Sequence, residues 1–174
     1  LRLVERFDAD TEPPVHIALA PCLLKGEKMD LVVQKAVELG AIEILPVESA
    51  NCVVRYDVKK REARAARWQK IADEAAKQCG RRTLMTVAPV VSLTELLRDP
   101  AYIGAADTAT VFCYEQEERQ SMRTVLRGTE ARRVTLIVGA EGGFSPAEAA
   151  AVTAAGGQSV SLGHRILRAE TASL

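Results

Sequence analysis

The sequence predicts one α/β domain, a mainly parallel sheet of five or six strands with helices on both faces, and three observations carry that prediction. Short β-branched or aliphatic runs alternate with segments of helical period. One run, residues 134–138, reads Val-Thr-Leu-Ile-Val, the near-continuous apolar pattern of a strand covered on both faces. Glycines follow two of the runs, at Gly139 and Gly163, where the loops of such sheets receive ligands.

Taken in order, residues 1–7 are a strand-like fragment, and residues 8–14, polar and closed by Pro13 and Pro14, read as a linker. The main domain is expected to begin at Val15 with a buried strand over 15–20. Residues 28–39 place apolar side chains at 29, 32, 33, 36 and 37, a helical spacing, and Gly40 stands where a left-handed residue ends a helix. A strand over 42–47 precedes a longer helix over 59–79. Its stripe of Trp68, Ile71, Ala72, Ala75 and Cys79 predicts core packing for both Trp68 and Cys79, and Gly80 stops it. A strand over 84–91 follows, then a short helix announced by Ser92 and Glu95 at capping-box spacing.

Residues 110–114 are the next strand, and a helix near 120–127 leads to the buried strand 134–138. Ser145-Pro146-Ala147-Glu148 combines a cap hydroxyl, proline at the first helical position and a capping carboxylate, so a helix starts there and runs to Gly156 and Gly157. A strand over 159–162 and a loop over 163–168 come next, and the chain stops at Leu174 in what reads as the first turn of a helix.

The 174 residues are 48% hydrophobic and 26% charged, enough apolar material for one core and too much for a disordered chain. The 23 basic and 23 acidic side chains cancel, so a polyanion would have to meet a local patch. Arg81-Arg82 and Arg132-Arg133 read as solvated ends of elements. Four cysteines without a C-x-x-C, and only two histidines, argue against a zinc site or a disulfide framework and favour a reducing cytosol. No apolar run approaches the roughly 18 residues of a membrane span. The expectation is a cytoplasmic protein with no metal and no membrane partner.

Gly139-Ala-Glu-Gly-Gly-Phe144 lies between a strand and a capped helix, and its glycines let the backbone come close to a ligand. Neither the G-x-G-x-x-G spacing of dinucleotide sites nor the G-x-x-x-x-G-K-[ST] of nucleotide loops is present. Glu141 would repel a pyrophosphate, which tilts the choice toward a neutral or cationic ligand. The stretch from Gly163 to Thr171 sets Arg165, Arg168 and Glu170 at a strand end, where arginines contact a phosphate or stabilise charge on a substrate oxygen. The bland alternative is a pair of solvated arginines beside a helix cap at Glu170 or Thr171. His164 is paired with no Ser or Cys nucleophile by pattern and reads as a surface residue.

Lys25-Gly-Glu-Lys-Met-Asp30 running into Gln34-Lys-Ala-Val-Glu-Leu-Gly40, then Arg67-Trp-Gln-Lys-Ile-Ala72 with Glu74-Ala-Ala-Lys-Gln-Cys-Gly-Arg81, then residues 136–144 and 161–171 come in an order that resembles one family. It is the RsmE-type ribosomal RNA uridine N3-methyltransferases of the SPOUT class, and the likeness covers almost everything after Val15. It implies S-adenosylmethionine as cofactor, a C-terminal trefoil knot and a homodimer. It further implies methylation at N3 of the position named uracil 1498 in 16S ribosomal RNA of the small subunit, a step in ribosome biogenesis. Residues 15–174 would then be the SPOUT domain, its last helix continuing past Thr171, and residues 1–14 the tail of an N-terminal PUA-like RNA-binding domain or a linker.

The resemblance places the cofactor against Val138, Gly139, Glu141, Gly142 and Gly143, and against Leu162, Gly163, Ile166 and Leu167; a sulfonium cation tolerates the carboxylate that a pyrophosphate does not. Methylation at N3 requires loss of an imide proton. Arg165 or Arg168 is the expected partner of the uridine anion, and Glu141 or Glu170 the expected proton acceptor. Ala140 stands where the family usually has proline, and Cys79 where serine is common. The alternatives are another SPOUT enzyme acting on a ribose 2′-hydroxyl or a different base, and a non-catalytic RNA-binding module.

Overall fold

The computed structural model describes residues 12–174; the strand-like fragment 1–7 and residues 8–11 of the expected linker lie outside the described residues. The chain order is β1 (His16–Pro21), α1 (Lys28–Glu38), β2 (Glu43–Ile44), β3 (Val47–Glu48), α2 (Val58–Cys79), β4 (Thr86–Val87), β5 (Val91–Ser92) and α3 (Leu93–Leu96). There follow β6 (Thr108–Cys113), α4 (Met122–Arg127), β7 (Arg133–Val138), α5 (Pro146–Ala154), β8 (Gln158–Val160) and α6 (Ala169–Ala172).

Six strands form a parallel sheet in the spatial order β4-β2-β1-β7-β6-β8. β7 is its spine, paired along its full length with β1, His16 opposite Arg133 to Pro21 opposite Val138, and with β6, Thr108 opposite Arg133 to Cys113 opposite Val138. Leu19, Ala20, Val111, Phe112 and Ile137 are buried there, which is why these strands read as apolar runs rather than alternations. The crossovers through α1 and α2 step toward β4, and the one through α5 steps the other way toward β8.

The strands expected over 42–47 and 84–91 are each split. Pro46 separates β2 from β3, and Pro89 lies between β4 and β5; neither proline has an N–H for the ladder. Past the prolines the chain leaves the main sheet, and β3 pairs with β5 as a separate parallel ribbon, Val47 opposite Val91.

Helix ends follow local chemistry. The boxes at Ser92 with Glu95 and Ser145 with Glu148 are both formed, and Gly40 (φ +92°) and Gly80 (φ +73°) close α1 and α2. α2 starts one residue early because the Asp57 carboxylate accepts from the Lys60 amide at 2.8 Å. Trp68 is buried as expected, and its indole donates to Asp30, which also receives Arg67.

Two expectations are corrected. Cys79 is exposed, because it sits in the last turn of α2, beyond the buried Ala72, Ala75 and Ala76. Arg81 is not a solvated end. Its side chain is 5% exposed; the guanidinium pairs with Glu12 and donates to the carbonyls of Val37 and Ala41, where the chain leaves α1. Among the described residues no helix is long and apolar enough to cross a membrane, and no group of three or more His, Cys, Asp and Glu could hold a metal ion.

Candidate functional site

The carboxyl ends of three strands meet in one row, Val138 opposite Cys113 and Cys113 opposite Val160, and a cleft of about 1070 Å³ opens above it. Two walls are the loops after β7 and β8. The third is the segment from Tyr114 to Ser121, whose end is tied down where Ser161 donates its amide to the Gln120 carbonyl at 2.7 Å and its carbonyl accepts from Met122 at 3.2 Å.

The cleft brings together Val138, Gly139, Glu141 and Gly143 from one loop with Leu162, Gly163, Ile166 and Leu167 from the other, and adds Arg165, Arg168 and Glu170. Gly142 alone of the predicted cofactor residues does not line it. A Cβ there would meet the Asn51 side chain at 3.1 Å, so its missing side chain makes room for Asn51.

The β7 loop is folded tightly on itself. The Gly143 amide donates to the Ala140 carbonyl at 2.9 Å, and a Cβ on Gly139 would meet the Gly143 backbone at 3.2 Å. Gly143 has φ +63°, and a Cβ on it would lie 2.8 Å from the Glu115 carboxylate. Both positions need glycine, one for approach and one for conformation. From behind, the Asn51 amide donates to the carbonyls of Gly142 (2.9 Å) and Gly143 (3.3 Å). Phe144 closes the loop, packing edge-on against Phe112 of β6 with centroids 6.0 Å apart.

Lys28, the first residue of α1, organises the charges. Its ammonium lies 3.2 Å from Glu141 Oε1 and 3.2 Å from Glu170 Oε2, and the Lys25 amide donates to Glu141 Oε1 at 3.2 Å. Burial works to raise the Glu141 carboxyl; the amides of Lys25 and of Glu141 itself, with the Lys28 ammonium, outweigh it and hold the group below the usual carboxylate range. The Glu170 carboxyl is lowered too, first by its own amide, with Lys28 and Arg168 adding against the opposing effect of burial. Glu170 Oε2 is buried and among the described residues no donor reaches it in hydrogen-bonding geometry, so the ammonium is what compensates it. Glu170 therefore faces Lys28 rather than capping α6, whose cap position is Arg168.

Elsewhere in the cleft, burial pushes the Cys113 thiol up to about 12, so it offers no thiolate nucleophile. The Glu117 carboxylate accepts from the Ser159 hydroxyl and from the amides of Arg119 and Gln120, and is lowered by them. Arg165, Arg168 and His164 are exposed at the rim, and Ile166 is 89% exposed. Lys28, Asn51 and the acidic 114–121 segment are the parts that sequence reasoning missed. Lys28 lies inside the Lys25-to-Asp30 motif, which was the available signal.

Residues 11–174 match the RNA methyltransferase domain family. The chain belongs to that family. This methyltransferase domain is 35% identical, over 99% of its length, to Ribosomal RNA small subunit methyltransferase E of Bacillus subtilis, of which it covers 68%. It is 32% identical over 99% of its length to the protein of the same name from Mycobacterium bovis, of which it covers 64%. The domain thus spans about two thirds of the length of these relatives.

Two solved structures align over 96% of the methyltransferase domain at 32% identity. One is a small subunit methyltransferase E from Neisseria gonorrhoeae bound to S-adenosyl methionine (TM-score 0.83, 65% of that chain). The other is a putative methyltransferase from Legionella pneumophila in complex with the same cofactor (TM-score 0.85, 66% of that chain). A SpoU methyltransferase from Streptomyces viridochromogenes, at 15% identity and TM-score 0.52, shares the fold.

Proposed function

We propose that this domain methylates N3 of a uridine in 16S ribosomal RNA, with S-adenosylmethionine bound between the loops after β7 and β8. The observation that carries this reading is the single cleft made by those loops, with a glycine-backbone floor, carboxylates inside and two arginines at its rim. Relatives bearing the small-subunit name and the two cofactor-bound structures support it.

The cleft's chemistry fits the cofactor. Gly139 and Gly143 let the β7 loop fold tightly on itself beside the cleft, and Leu162, Ile166 and Leu167 offer apolar surface to an adenosyl group. Glu115, Glu117, Glu118, Glu141 and Glu170 outnumber Lys28, Arg119, Arg165 and Arg168 in the lining, a balance that suits a sulfonium cation better than a pyrophosphate. When bound, S-adenosylmethionine supplies an electrophilic methyl group.

The residues of the chain prepare the acceptor. The N3 proton passes to a carboxylate oxygen of Glu141 or Glu170, and Arg165 or Arg168 donates to the carbonyl oxygen on which the uridine anion's charge gathers. Because backbone amides and Lys28 hold both carboxylates below the usual range, they are weak bases and the arginines' stabilisation of that anion matters the more. In this reading residues 15–174 are the SPOUT domain, its two loops run through a trefoil knot, and residues 1–14 lead from a PUA-like domain. The enzyme works as a homodimer in the cytoplasm.

The test incubates the full-length protein with S-adenosylmethionine and small subunits, or free 16S RNA, lacking the modification, and identifies methylated nucleosides by mass spectrometry. N3-methyluridine is expected. A ribose-methylated nucleoside would move the enzyme to another branch of the fold and overturn the reading.

A further inference from the structure

The N-terminal half of α2 is charged against its own stability. Residues 58–70 carry Lys59, Lys60, Arg61, Arg64, Arg67 and Lys70 against Glu62 alone, in a chain whose charges cancel. The first turn has no acidic residue, although the positive end of the helix dipole favours one, and Lys60 and Arg64 are like charges one turn apart. Where such a local rule is broken, a functional surface is the expected reason.

Some of these cations are satisfied within the fold. Arg55 and Arg61 share the Glu48 carboxylate, each at 2.8 Å, and Arg67 pairs with Asp30. Among the described residues Lys59, Lys60, Arg64 and Lys70 have no carboxylate partner; Lys60 and Arg64 lie over the Tyr56 ring at 5.2 and 5.6 Å. Lys60, Arg64 and Arg67 share one face, Lys59 and Lys70 the next, and the buried Trp68 and Ala72 point elsewhere.

The segment just before the strip reaches the back of the β7 loop. Arg55 donates to the carbonyls of Ser49 (3.3 Å) and Ala50 (2.9 Å), and the Ala50 amide donates to Glu148 at the start of α5. The next residue, Asn51, braces the Gly142 and Gly143 carbonyls. From Lys59 to Lys70 the helix runs about 17 Å. That length matches on the order of five phosphates along one strand of a duplex, and suits an extended polyanion better than a single anion.

We infer that the exposed N-terminal half of α2 is the surface on which the RNA backbone docks, leading the strand past the loop that braces the cofactor site. This rests on the reading of the cleft as an RNA methyltransferase site. Its contacts are with phosphates and carry no sequence information; they set where the RNA lies.

The test combines Lys59→Glu, Lys60→Glu and Lys70→Glu in the full-length protein. Carboxylates in the first turn suit the dipole, so thermal stability is expected to hold or rise. Binding to 16S RNA is measured across a salt series, and S-adenosylhomocysteine binding by calorimetry. RNA affinity is expected to fall on the order of tenfold or more, and the slope of log affinity against log salt to flatten by about two to three, with cofactor affinity unchanged. The corresponding triple glutamine variant gives an intermediate loss. Parental RNA affinity and salt slope in the glutamate variant overturn the inference. If the variant loses RNA while the parent makes no N3-methyluridine, the docking surface stands and the functional reading falls.

Discussion

Lys28 Nζ lies 3.2 Å from Glu170 Oε2, tying the start of α1 to α6 across the mouth of the cleft. The same ammonium lies beside Glu141, so one cation adds to the backbone amides in lowering both carboxylates proposed to handle the substrate proton.

Lys28→Met should raise both carboxyls toward the ordinary range. A carboxylate whose pKa is lowered in the folded state stays ionised until the pH drops through that lowered value, and the stability it contributes is lost over the same interval. The acid limb of the kcat/KM profile is therefore expected below the usual carboxylate pKa in the parent and to move to higher pH in the variant. An unmoved limb, with activity merely scaled down, would separate Lys28 from proton handling.

Asn51→Ala removes two hydrogen bonds to the back of the β7 loop, the proposed cofactor loop, without touching the cleft. At about 1 kcal/mol net, S-adenosylhomocysteine affinity should fall roughly fivefold. Gly142→Ala should act in the same direction, because its Cβ would press on Asn51. Calorimetry on both variants checks this; a loss in Gly142→Ala with none in Asn51→Ala would point to direct ligand contact at Gly142.

Gly143→Ala places a side chain at φ +63° and against the Glu115 carboxylate. The conformation alone costs about 1–2 kcal/mol, which should lower the melting temperature by several degrees, and cofactor affinity should fall with it. Adding Glu115→Ala should restore part of the affinity and none of the conformational cost.

Arg168→Ala separates chemistry from binding. The side chain is exposed at the cap position of α6 and makes no cap hydrogen bond. Turnover is expected to drop while S-adenosylhomocysteine affinity and melting temperature hold. A parallel loss of all three would make Arg168 structural.

Much of this was legible where local chemistry decides. The buried spine 134–138, the capping boxes at Ser92 and Ser145 and the glycines that close α1 and α2 depend on neighbours within a few residues. The split of 42–47 and 84–91 was written in Pro46 and Pro89, and a stricter reading of proline in a strand would have found it. Cys79 and Arg81 were misplaced because helix phase does not say where a helix outruns its sheet or which carbonyls lie across from its end. In the site, glycines and arginines stood out by type, whereas Lys28, Asn51 and the 114–121 wall act through contacts between residues far apart in sequence. The motif beginning at Lys25 held more than its pattern showed. Its Asp30 receives Arg67 and Trp68 of the next motif, so two separate likenesses are the two halves of one contact.

The place of β7 has a consequence for assembly during synthesis. It enters between β1 and β6, and its partners on β1 lie more than a hundred residues upstream. Until residue 133 is made, the growing chain holds β1, β2 and β4 on one side and β6 on the other, each ending in an unpaired edge. Such edges invite association with other chains, and long-range parallel pairing is slow to form. A product interrupted upstream of that point is expected to aggregate rather than persist as a smaller domain, and ligand binding can begin only after the final strands have been laid.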